Sequence, residues 1–184
     1  MSTSLIIVIV VVAVVVVALV GVAVAMPQMR SKRLQQQFGP EYERAVAQHD
    51  GDAKAAEREL SERVKRTDEL DLHPLDPARQ ERYLAQWTTL QEQFVDAPGK
   101  ALIDADRLLT EVLRERGYPE EDQDTALSVH HTGVLDGYRA SRGAAERAAA
   151  GSASTEELRD AFVRARETFD ELVRDDSTTS ERTK

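Results

Sequence analysis

The chain has 184 residues and a mass of 20.5 kDa, which allows one ordinary domain or one domain with an appendage. It contains no cysteine, so disulfides, thiolate zinc sites and cysteine nucleophiles are excluded. With 24 Lys and Arg against 33 Asp and Glu, the formal net charge is -9. This balance predicts no nucleic-acid partner that binds through overall positive charge.

The first feature in chain order is an uncharged run over residues 5–25, which is apolar except for Gly21. At a helical rise of about 1.5 Å per residue the run is roughly 31 Å long, close to the hydrocarbon core of about 30 Å. In lipid the unpaired peptide group is so costly that even a run rich in Val and Ile forms a helix. We therefore predict a short N-terminus over 1–4, a transmembrane helix over 5–25 and the lipid bilayer as a partner.

Three basic residues follow this run and predict its orientation. Residues 1–4 carry no charged side chain, whereas Arg30, Lys32 and Arg33 lie just after the run. Positive charge stays on the cytoplasmic side, so the N-terminus is predicted outside and the C-terminal domain in the cytoplasm. The three cations can also lie against anionic headgroups, at about 1 kcal/mol each. The predicted location is the cell membrane, as a single-pass protein.

The rival interpretation is a cleaved signal peptide. Ala23-Val24-Ala25 has the form of a cleavage site, and cutting after Ala25 would release an exported soluble helical domain. Against it, the N-terminus lacks positive charge and the apolar run exceeds the usual length of about 7–15 residues. The retained anchor is therefore favoured. Gly21 and Ala25 also form a pair of small residues that would allow a homo-oligomer through the span.

The rest of the chain predicts an all-α fold, because helical spacing recurs and no period-2 alternation is found. Residues 26–75 form a charged helical neck interrupted at Phe38-Gly39-Pro40, where Pro40 suits the first turn of a new helix. Two helices follow, over 41–49 and from 52 to about 70. The neck thus leads from the membrane to the C-terminal part.

Residues 76–174 predict a bundle of approximately four antiparallel helices. Asp76 and Pro77 form a strong helix start, and the next helix runs from Pro98 to Gly117, where glycine suits the left-handed position after a helix. The first of these helices carries the strongest apolar face in the chain: Tyr83, Leu84, Trp87, Leu90, Phe94 and Val95. This face predicts a core for the bundle.

The second half of the bundle has weaker signals. Pro119 is predicted to begin another helical turn, and 127–150 is predicted as one helix despite its glycines. Ser154 and Glu157 fit a capping box that starts the last helix. The polar tail over 175–184 has nothing to bury and is predicted to be disordered.

Residues with catalytic or metal-binding chemistry are sparse. No two histidines are spaced i,i+4, and the adjacent His130 and His131 would point about 100° apart on a helix. Nucleophile-elbow, phosphate-loop, dinucleotide and zinc-protease motifs are missing. The sequence therefore predicts no catalytic residue, no cofactor and no metal. An enzyme with a site between helices near His130 and His131 remains as an alternative.

The most conspicuous constellation is Tyr83, Trp87 and Phe94, at spacings of four and seven. Core packing is the favoured role of this helix face. A groove that binds a partner helix is the functional alternative.

Seven segments carry a resemblance to a known family. They are Phe38-Gly39-Pro40-Glu41-Tyr42-Glu43-Arg44, Leu72-His73-Pro74-Leu75, Arg82-Tyr83 with Trp87, Gln91 with Phe94-Val95-Asp96, Arg116-Gly117-Tyr118-Pro119, Leu127-Ser128-Val129-His130-His131 and Thr155-Glu156-Glu157-Leu158-Arg159. Over most of residues 30–174 the chain resembles a family of uncharacterised bacterial proteins with a single membrane span. His73 departs from the arginine expected there. The resemblance implies the architecture above and supplies no site residues.

Taken together, the sequence predicts a membrane-tethered helical interaction or scaffold module with an unknown protein partner. A tether at the membrane surface raises the effective concentration of weak partners, so a modest interface suffices.

Overall fold

A computed structural model describes residues 29–174. The predictions for 1–28, namely the transmembrane helix and the cleavage site, lie outside the described residues, as does the predicted tail over 175–184. Within 29–174 every regular element is an α-helix and no strand occurs, so the all-α prediction is confirmed. None of the helices in this part of the chain combines the length and apolar character needed to cross a membrane.

The described residues form eight helices in two compact units. The helices are α1 (29–38), α2 (Pro40–Gln48), α3 (Ala53–Asp68), α4 (Pro77–Asp96), α5 (Pro98–Glu115), α6 (Gln123–His130), α7 (Thr132–Ala149) and α8 (Thr155–Arg174). Unit 1 ends at Ser61 and unit 2 begins at Glu62, so the boundary falls within α3. Residues 62–75 of the predicted neck belong to unit 2.

Six apolar side chains in the described part of unit 1 are buried: Leu34, Phe38, Tyr42, Ala45, Ala56 and Leu60. The predicted interruption before Pro40 is confirmed, because Gly39 adopts a φ of 48° between α1 and α2. Two contacts join α2 and its C-terminal cap to α3: the Tyr42 hydroxyl donates to Glu57 (3.1 Å), and His49 Nε2 lies 2.6 Å from Glu59 Oε2.

Local capping signals start two of the helices in unit 2. Asp76 Oδ1 accepts a hydrogen bond from the backbone N–H of Arg79 (2.9 Å), as an N-cap residue should. Ser154 Oγ accepts from the N–H of Glu157 (3.2 Å), which confirms the predicted start of α8. The Glu157 carboxylate contacts Arg147 at 2.6 Å. In a capping box this carboxylate would accept from the backbone N–H of the N-cap residue, here Ser154. Glu157 contacts Arg147 instead.

Two predicted helix boundaries are wrong. Pro119 does not begin a helix, because Asp122 adopts the left-handed conformation (φ 69°) and α6 starts only at Gln123. The helix predicted over 127–150 is broken at His131, whose φ of −130° and ψ of 45° end α6 before α7 begins. The apolar pattern continues on both sides of this break, so periodicity alone did not reveal it.

The core of unit 2 lies among α4, α5, α7 and α8, with the short α6 packed against α7. Trp87 stacks on Phe162 (5.2 Å between centroids) and Phe169 (4.6 Å), and Phe94 contacts Phe162 (4.4 Å). A helical bundle is therefore confirmed, whereas its antiparallel order stays a prediction. Val95 was wrongly placed on the apolar face: its side chain is 82% exposed, because it lies about 80° around α4 from Trp87.

Candidate functional site

The basic residues predicted to flank the membrane lie on α1. Arg30, Lys32 and Arg33 are all exposed, while Leu34 and Phe38 of the same helix are buried in unit 1. No described acidic side chain forms an ion pair with any of the three. Their charges are therefore directed to solvent or to an external anion.

The aromatic constellation lies in the core of unit 2. Tyr83 and Trp87 are fully buried and Phe94 is partly buried against the same cluster. The Tyr83 hydroxyl donates to Glu115, a carboxylate that also contacts Arg79 and Arg82. Burial, together with the Glu115 carboxylate, raises the pKa of Tyr83 to about 12. In this structure the three aromatic residues pack into the core of unit 2.

The two adjacent histidines differ in their exposure to solvent. His130 is exposed at the end of α6, whereas His131 is 3% exposed. His131 Nδ1 lies 3.4 Å from Glu171 Oε1, and its ring centroid lies 6.1 Å from that of Tyr118. Across 29–174, no group of His, Asp and Glu has the arrangement of a metal site. The enzyme alternative at these histidines stays a prediction.

A polar cluster around the buried side chains of Tyr138 and Gln123 joins α5, α6 and α7, and no sequence motif predicted it. The Tyr138 hydroxyl donates to Gln123 Oε1 (2.8 Å) and accepts from Arg142 Nη1 (3.1 Å). Burial raises the pKa of Tyr138, and the charges of Tyr138 and Asp106 raise that of Arg142. Its members come from three separate helices, so only tertiary proximity makes the cluster.

Asp106 is the acidic member of this polar cluster. Its Oδ1 atom is buried and has no hydrogen-bond partner. Burial raises the pKa of Asp106, Arg142 and Arg107 oppose the shift, and Glu146 adds to it. Asp104, two residues earlier on α5, faces Lys100 (2.8 Å), which lowers its pKa. The pKa values of the two aspartates are therefore shifted in opposite directions, so their contributions to stability change with pH in opposite directions.

Asp106→Asn is expected to raise the stability of the chain at neutral pH and to have no such effect at about pH 3. The folded state raises the pKa of Asp106 above 3.8. Between 3.8 and the raised pKa, Asp106 therefore keeps a proton in the folded protein that it releases in the unfolded chain. Stability is therefore lost as pH rises from 3.8 through the raised pKa. Urea unfolding of both proteins at the two pH values measures the difference.

Asp104→Asn is the matched control for this prediction. The lowered pKa of Asp104 adds stability above 3.8 that is lost as pH falls, so this variant is expected to be slightly less stable than the wild type at neutral pH. A stabilising Asp104→Asn, or an Asp106→Asn that loses stability at neutral pH, would contradict the assignment of the two environments.

A cavity of about 340 Å³ lies elsewhere in unit 2, between the end of α3 and the start of α6. Its lining residues are Arg66, Thr67, Leu70, Pro119, Glu121, Asp122, Thr125 and Ala126. Neither histidine of the enzyme alternative lines it, and neither does any member of the polar cluster. The lining combines charges of both signs with apolar groups, which is compatible with solvent or a small polar solute.

Comparison with known proteins adds no site residue to those above. No family model, curated protein or solved structure matches the chain. The resemblance to bacterial single-span proteins therefore stays a prediction.

Proposed function

We propose that this chain is a single-pass, membrane-tethered helical interaction module whose C-terminal part faces the cytoplasm. The observation that carries the proposal is the order of three segments: an uncharged apolar run over 5–25, three cations within the next eight residues, and a helical body over 29–174. A run of this length matches the hydrocarbon core, and the cations set its orientation. The anchor would hold the body at the membrane surface.

The charge of unit 2 supports a role in binding another protein. Residues 62–174 contain 16 Lys and Arg against 24 Asp and Glu, which gives the described part of unit 2 a net charge of about −8. Complementary charge raises association rates and suppresses wrong partners, so a partner with a basic surface is favoured. Tethering adds effective concentration without any new contact.

Membrane anchoring is tested with the full chain and a variant that carries Val14→Arg and Val16→Arg in the run. Each arginine at the centre of a span costs about 2.5–3.5 kcal/mol of insertion, so the variant is expected to leave the membrane in an alkaline wash while the wild type stays. Val14→Leu with Val16→Leu is the matched control and should stay. Release of the wild type without detergent would contradict the anchor.

Topology and processing are read in the same cells. A reporter that works only in the cytoplasm should be active when it is fused after Lys184. The intact mass of the protein should include the N-terminal run. A reporter that is active only outside, or a mass beginning near residue 26, would instead support the exported domain. The first result would contradict the proposed orientation, and the second would contradict the retained anchor.

The interaction role is tested by crosslinking in cells. The wild type and the leucine control should give the same crosslinked partner, and the arginine variant should lose most of that product because its effective concentration falls. Catalytic turnover by the purified chain, with no anchor-dependent partner, would contradict the proposal.

A further inference from the structure

Along the described chain, the first helix is cationic and the remainder is net acidic. Residues 29–38, which form α1, contain three cations and no acidic residue. The rest of unit 1, over 39–61, has three cations against six acidic residues, and residues 62–174 are more acidic still. Of the three stretches 29–38, 39–61 and 62–174, only the first has a net positive charge, and α1 is a cationic helix with no acidic residue of its own.

The cations of α1 lack an acidic partner, whereas several cations elsewhere in the described chain have one. Arg44 contacts Glu41, and Arg147 contacts Glu157. Arg30, Lys32 and Arg33 are exposed and form no ion pair among the described residues. Leu34 and Phe38 of the same helix are buried, whereas the three cations are available to an external anion.

The distance in sequence places these cations near lipid headgroups, if the apolar run spans the bilayer as proposed above. Arg30 follows Ala25 by five residues, which is about 8 Å of helix or at most about 18 Å of extended chain. The headgroup layer is about 5–7 Å thick on each side, and the Debye length at physiological salt is about 8 Å. On a helical path Arg30, Lys32 and Arg33 follow Ala25 by about 8–12 Å, which is within electrostatic reach of lipid phosphates.

We propose that α1 binds anionic phospholipid headgroups selectively, and that this contact with lipid is confined to α1. The inference rests on the proposed function, since the apolar run must bring α1 to the surface. The acidic remainder of the chain is repelled by the same leaflet, so it does not share the contact. Anionic phospholipid is the occupant that fits an exposed, unpaired cationic helix beside a membrane span.

The test reconstitutes the full chain in phosphatidylcholine bilayers that contain trace spin-labelled phosphatidylglycerol or phosphatidylcholine. The wild type is expected to bind the anionic label about three- to tenfold more strongly than the neutral one, since each cation near the surface favours anionic lipid. The triple variant Arg30→Gln, Lys32→Gln, Arg33→Gln should bring this ratio close to one. Raising salt from 0.1 to 1 M should also reduce the wild-type ratio, because the Debye length falls from about 10 to about 3 Å.

A matched control carries the same change of charge outside α1. Lys54, Lys65 and Arg159 are exposed, and replacing all three by glutamine should leave the wild-type ratio within about twofold. An unchanged ratio in the α1 variant, or an equal loss in the control variant, would overturn the inference. Circular dichroism of both variants checks that the helices persist.

Flotation of the same vesicles separates this inference from the proposed function. If the wild type does not float with the vesicles, the proposed span itself fails. If it floats but binds both labelled lipids equally, only the selectivity of α1 fails. Flotation with a ratio that collapses specifically in the α1 variant supports both.

Discussion

Replacing Trp87 by alanine is expected to lower the free energy of unfolding of unit 2 by about 3–5 kcal/mol. The Trp87 side chain is fully buried, stacks between Phe162 and Phe169, and lies under the guanidinium of Arg166 at 5.6 Å. Truncation removes its apolar contact area and leaves a cavity among helices that cannot fully close it. The loss is large against the total stability of a typical domain, about 5–15 kcal/mol.

Urea unfolding followed by circular dichroism, with the full chain in detergent micelles, measures this loss. Trp87→Phe keeps an aromatic ring and should lose less, which guards against a variant that fails to fold. Val163→Ala, at a 54% exposed position on α8, is the surface control and should change stability by less than about 0.5 kcal/mol. A loss below about 1 kcal/mol for Trp87→Ala would contradict core packing and favour the partner groove.

Helix starts and breaks could be predicted where the chemistry is local. Asp76 and Ser154 accept backbone hydrogen bonds from residues three positions away, so their role depends only on nearby sequence. Gly39 and Pro40 act in the same local way between α1 and α2. The three aromatic residues of α4 were found because burial follows helical periodicity.

Features that depend on tertiary contact could not be predicted. The cluster of Asp106, Gln123, Tyr138 and Arg142 joins three helices, and nothing in the spacing of these residues marks them as neighbours. The break at His131 was missed because apolar positions continue beyond it.

The proposed lipid-binding cations of α1, Arg30, Lys32 and Arg33, were only partly predictable. They were evident from the sequence as charges that follow an apolar run. Their exposure on α1 and their lack of acidic partners required the structure, because an ion pair depends on which side chains folding brings together.

Gly117 is the glycine on which the fold depends most. It ends α5 with a φ of 92°, as the sequence predicted for a left-handed position. Its N–H donates to the Arg114 carbonyl (3.0 Å), and the next N–H, of Tyr118, donates to that of Leu113 (3.0 Å). These two bonds form a Schellman motif. A Cβ at this position would lie 2.3 Å from the backbone oxygen of Asp71, so the connector before α4 also requires glycine here.

Gly117→Ala is therefore expected to destabilise unit 2 by more than the roughly 1–2 kcal/mol that a positive φ costs alanine, because the backbone at Asp71 must also shift. Gly133→Ala is the matched control: Gly133 lies within α7, and an added Cβ there meets no atom within 4 Å. That control should gain less than the about 0.5–1 kcal/mol that alanine gains in a helix interior, because Gly133 is the second residue of α7. Urea unfolding of the two variants should thus give shifts of opposite sign. A loss in Gly117→Ala of no more than about 1–2 kcal/mol would mean that the connector at Asp71 does not pack on the end of α5.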